Sequence, residues 1–131
     1  MLQRLATAYF GGALGAIVNS LAVWLLAEAQ LLSAAGIGVH PELTWAWIGK
    51  RMLWGSLWGL GYPLVHSLEK SAWKAGLLLS LAPTAAQLFY FYPQSGSGMA
   101  GLEAGNLTPV LVLLSNGLWG WVVSQCATRS N

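Results

Sequence analysis

Three stretches of this chain, residues 5–27, 75–92 and 104–128, contain no Asp, Glu, Lys or Arg. A helix rises about 1.5 Å per residue and needs roughly 20 mostly apolar residues to cross a hydrocarbon layer about 30 Å thick, so these runs read as membrane spans. A further apolar run, 52–65, has only 14 residues and reaches full length by including 45–51, with Lys50 and Arg51 near its first turns. Both cations can snorkel from there toward the interface. The pattern predicts an all-α polytopic membrane protein: one domain, 1–131, with four transmembrane helices in an antiparallel bundle, at about 5–27, 45–66, 73–92 and 107–127.

Composition supports that reading. Charged residues make up 8% of the chain, about a third of the share usual in soluble domains. The net charge of +2 is spread along the sequence without a basic stripe, which excludes a nucleic-acid partner. A lone cysteine, Cys126, allows neither an internal disulfide nor a cysteine metal cluster. Arg4 and the Ala27-Glu28-Ala29 step give the first span the outline of a secretory signal, but its 23 uncharged residues exceed a signal's core of about 7–15; it is read as retained. Arg4, Lys70, Lys74 and Arg129 fall on one side of the spans and Lys50 and Arg51 on the other, so the positive-inside rule places both termini in the cytoplasm.

Helices in lipid associate through small residues and interhelical hydrogen bonds. Gly11, Gly12 and Gly15 in the first span, Gly55 and Gly59 in the second, and Gly117 and Gly120 in the fourth are the expected helix-packing positions. Pro83 lies within the third span and predicts a kink. Pro109 falls in the first turn of the fourth, with Asn106 or Thr108 as its cap. Trp24, Trp45, Trp47 and Trp73 sit near span ends, where indoles anchor at the interface. Trp47, Trp54 and Trp58 form an aromatic stripe on the helical face that carries Arg51, and a guanidinium stacked between indoles there gains roughly 0.5–2 kcal/mol.

The chemistry available is narrow. All four acids are Glu, at 28, 42, 69 and 103, in connections or at helix ends, which argues against a carboxylate-driven proton pump. His40 and His66 flank the second span from opposite ends, so a shared metal site is not expected; His66 is the better placed as a single axial ligand to a pigment. A nucleophile elbow with partner His and acid, a phosphate-cradling loop and zinc spacing are missing, and the chain reads as non-enzymatic. The notable polar group is intramembrane: Asn19, Gln87 and Asn116 fall within roughly 2–8 Å of the midplane on its outer side, and Arg51 enters from that side. They predict either a network that locks the helices or a solute or ligand site.

Gly11-Gly12-Ala13-Leu14-Gly15-Ala16 resembles the first helix of small fluoride channels, but the later Phe- and Thr-rich motif of those channels is missing, and that match is rejected. The segments Arg51-Met52-Leu53-Trp54-Gly55-Ser56-Leu57-Trp58-Gly59, Pro83-Thr84-Ala85-Ala86-Gln87-Leu88-Phe89, Leu107-Thr108-Pro109 and Asn116-Gly117-Leu118-Trp119-Gly120 are similar to small uncharacterised bacterial four-helix membrane proteins. That resemblance implies a bacterial inner or thylakoid-type membrane and carries no activity with it.

Three functions follow as expectations. The leading one is a non-catalytic subunit that stabilises a larger respiratory or photosynthetic membrane complex, its partners being lipids and other membrane subunits. The second is a small homo-oligomeric channel or facilitator for a neutral or anionic solute. The third is a binder of lipid, quinone or pigment between the second and third spans, with the Trp stripe as its wall. Bound lipid, chlorophyll or carotenoid are the cofactors these readings admit.

Overall fold

Thr44 is extended and its hydroxyl accepts a hydrogen bond from the Trp47 amide at 3.1 Å, so the helix carrying Arg51 begins at Trp45. Such a cap satisfies one of the orphan donors of a helix start. A computed structural model describes residues 1–129, the last of them by its backbone alone; the Arg129 side chain, counted above toward orientation, lies outside what is described.

The described residues form helices joined by irregular connections, with no strand among them. They form α1 (Leu2–Glu28), α2 (Leu31–Ala34), α3 (Trp45–Gly59), α4 (Tyr62–Leu68), α5 (Ala72–Ala86), α6 (Tyr92–Gln94) and α7 (Thr108–Arg129). Three helices are long and apolar enough to cross a membrane: Leu2–Glu28, Ala72–Gln94 and Thr108–Thr128. The second expected span is divided, because Pro63 has no N–H to offer the Gly59 carbonyl and the chain turns at Leu60 and Gly61 between α3 and α4. In the third, α5 runs through Pro83 and passes into a π-helical turn, Gln87–Phe91, before α6. Thr108 lies inside the first turn of α7 instead of capping it, and its hydroxyl is buried without a hydrogen bond.

The packing order is α3, α1, α7, α5. A Cβ on Gly12 would strike the Gly55 carbonyl, one on Gly59 would come within 2.6 Å of the Ala8 carbonyl, and one on Gly15 within 2.8 Å of the Trp119 ring. Gly11 faces Val123 and Cys126, and a Cβ on Gly120 would strike the Gly76 carbonyl. As numbers rise along α1 those of its neighbours fall, so α3 and α7 run antiparallel to α1, and α5 to α7. Gly117 differs: a Cβ there meets only Leu77, at an ordinary 3.7 Å. Gly76 is the backbone contact of α5 with α7.

Two apolar clusters hold this arrangement. One joins Ala8, Ala16, Tyr62, Ala75, Leu79, Trp119 and Val123 across the helices. The other gathers Val23, Ala27, Leu32, Ile37 and Leu111 beneath the connection that follows α1. That connection is tied to the one before α7 by a bond from the Gly38 amide to the Ala104 carbonyl, at 2.6 Å. At the other end the Tyr62 hydroxyl donates to the Ala72 carbonyl at 3.1 Å and fixes the α4–α5 turn.

Candidate functional site

The antiparallel registers bring polar side chains from α1, α3, α5, α7 and the π-helical turn to one level. Asn116 of α7 is the hub. Its amide nitrogen donates to Thr84 Oγ1 at 3.1 Å and to Gln87 Oε1 at 3.4 Å, and its oxygen accepts from Asn19 Nδ2 at 3.1 Å. Arg51 reaches the same group from α3, its Nε donating to Ser20 Oγ at 2.6 Å and its Nη2 to Asn19 Oδ1 at 3.3 Å. Gln87 Nε2 in turn donates to the Tyr92 hydroxyl at 3.4 Å. The structure therefore joins Asn19, Arg51, Gln87 and Asn116, and adds Ser20, Thr84 and Tyr92 to them.

Thr84 and Ser20 carried no strong signal of their own, being hydroxyls in apolar helices. Thr84 stands three residues before Gln87 and Ser20 directly follows Asn19, so facing by helical spacing offered a weak one. The Thr84 hydroxyl donates to its own helix at Ser80 O, 2.7 Å away, which leaves its lone pairs for Asn116. Trp119, three residues past Asn116, is 3% exposed, and its indole N–H donates to the Gly12 carbonyl at 3.0 Å.

The aromatic stripe divides. The Arg51 guanidinium lies over Trp47, 5.0 Å from the ring centroid. Trp54 turns instead to Phe91, edge to face with centroids 5.9 Å apart. The expected sandwich of Arg51 between indoles is thus a single stack, because the π-helical turn supplies Trp54 with another ring.

A cavity of about 360 Å³ lies beside the polar level. Arg51, Lys50 and the amides of Asn19, Gln87 and Asn116 form its polar part, while Trp54, Trp58, Trp119 and Phe91 give it an aromatic wall. α3 and α5 barely touch, so the cavity opens between them past the half-exposed Trp54 and Phe91. A second cavity, about 190 Å³, shares Arg51 and Gln87 with the first and is lined further by Trp47, Tyr92, Ser115 and, from the connection after α1, Val39 and Pro41. No carboxylate lines either cavity among the described residues.

His66 lies outside this site. Its ring stacks on Tyr62 at 5.5 Å and its Nε2 stands 3.2 Å from the Lys70 carbonyl. His40 faces Glu28 at 3.8 Å, both exposed. Among the described residues no group of three His, Cys, Asp or Glu side chains gathers as metal ligands would.

Comparison with family models, with curated proteins and with solved structures finds no match to this chain.

Proposed function

We propose that this chain is a non-catalytic four-span membrane protein, with α3 and α4 together making the second crossing and both termini cytoplasmic. On this reading it holds a small amphipathic molecule that enters from the bilayer between α3 and α5. The observation that carries the proposal is the cavity of about 360 Å³, with two cations and three amides at its polar part and four aromatic rings along the rest. Ligand pockets typically span about 300–1,000 Å³ and combine an apolar lining with a few convergent polar groups. An arginine at membrane depth is costly, and it commonly faces a cavity where a substrate or ligand offsets it. A guanidinium has five N–H donors; Arg51 directs only two of its nitrogens to protein oxygens.

Mass measurement of the intact chain extracted in mild detergent tests this. The expected spectrum contains the chain with one small amphipath bound, at reduced occupancy in Trp58→Ala. A bare chain under every extraction condition contradicts it.

A passage for a small neutral or anionic solute is a second reading, favoured by the two cavities that share Arg51 and Gln87. Purified protein reconstituted alone into vesicles would then release such a solute, whereas a binder would not. The apolar outer faces behind the accessory-subunit expectation need no protein partner, since lipid covers them on this reading.

A further inference from the structure

Resting on the binding reading above, the charge of the site identifies the head of the molecule it takes. Lys50 and Arg51 both line the larger cavity, and no carboxylate stands within ion-pair distance of either among the described residues. The four acids of the chain are engaged or placed elsewhere. Glu28 faces His40, Glu69 accepts from the Ser71 amide at 2.9 Å, Glu103 lies against Gly98, and Glu42 is in the connection before α3. The partners of Arg51 are neutral: the Ser20 hydroxyl, the Asn19 amide oxygen and the Trp47 ring. These satisfy hydrogen atoms but not charge, and a cation even partly withdrawn from water without a counter-charge is unfavourable.

We propose that the occupant is a single-chain amphipath with an oxyanion head, a carboxylate or a phosphate, held by Arg51, with its tail along the aromatic wall between α3 and α5. The guanidinium fork suits an oxyanion because two N–H groups can donate in parallel to two oxygens. The smaller cavity shares Arg51 and Gln87 with the larger one and adds the Tyr92 hydroxyl, so the head has a donor beyond the guanidinium. At about 360 Å³ the larger cavity lies near the low end for ligand sites, which favours one hydrocarbon chain over two.

The test uses the full chain in phosphatidylcholine nanodiscs with four probes: palmitate, palmitoyl lysophosphatidate, hexadecanol and inorganic phosphate. One or both acids should bind at least about tenfold more tightly than hexadecanol, since a hydrogen bond to a charged group contributes roughly that much. Whichever acid binds more tightly identifies the head as carboxylate or phosphate. The preference should vanish in Arg51→Gln and survive in part in Arg51→Lys. Should those variants fail to fold, the native chain still decides: raising salt must weaken the acids and leave hexadecanol unchanged. Equal affinity for acid and alcohol overturns the oxyanion head and leaves the binding site standing. Phosphate binding as tightly as lysophosphatidate overturns the role of the tail. If no amphipath binds, the binding reading falls as well.

Discussion

Asn116 carries the most connections in the polar level, bonding to Asn19, Thr84 and Gln87 at once. Interhelical hydrogen bonds in membranes are worth about 0.6 kcal/mol on average and at most about 1.7. Asn116→Leu is therefore expected to lower stability by about 1–3 kcal/mol in a detergent unfolding titration, and Asn19→Leu by about 1–2, since it frees Arg51 of one acceptor as well as cutting the bond to Asn116. Unchanged unfolding in both would show that the network does not hold the helices. The amides and Arg51 were legible in the sequence because polar side chains at membrane depth are few and each must find a partner. Ser20 and Thr84 were not, because a hydroxyl can satisfy itself on the preceding turn of its own helix, and only the three-dimensional register shows that Thr84 also accepts from Asn116.

Between elements, glycine sets how near the helices come. Gly12 against Gly55 and Gly76 against Gly120 are backbone-to-backbone approaches with no room for a Cβ. Overpacking a tight contact costs about 1–3 kcal/mol, so Gly12→Val and Gly120→Val should each destabilise by at least that amount, whereas Gly117→Ala, whose Cβ meets only Leu77 at an ordinary 3.7 Å, should change unfolding by less than about 1 kcal/mol. Equal effects at positions 117 and 120 would contradict the assigned helix faces. Glycine clusters were visible as packing strips, and most of them serve so; that Gly117 points elsewhere follows from the rotation of α7, which places Asn116 and Trp119 inward. The break between α3 and α4 before Pro63 has a local cause readable in the sequence. The π-helical turn at Gln87–Phe91 does not; without it the pairing of Phe91 with Trp54 could not be foreseen, and the single stack of Arg51 on Trp47 replaces the expected double one.

For the whole molecule, length and apolarity made three membrane-length helices legible, while the opening did not show, since the sparse contact between α3 and α5 depends on how all the helices pack. The proposed topology places the α4–α5 turn with the termini in the cytoplasm and the connections after α1 and before α7 outside. In a Cys126→Ser background, Ser71→Cys should react with an impermeant thiol reagent only after the membrane is opened, and Ser97→Cys from outside in intact cells. The reverse pattern would invert the protein, and labelling of both from one side would remove one crossing. On the binding proposal an amphipath lies between α3 and α5 with its head on Arg51. The most direct test is to irradiate the reconstituted chain with a diazirine-bearing fatty acid and locate the adducts by peptide mass. Adducts should concentrate at Trp54, Trp58 and Phe91 and be displaced by excess palmitate. Adducts spread over outward-facing residues such as Leu21 and Leu114, and insensitive to palmitate, would contradict the binding proposal.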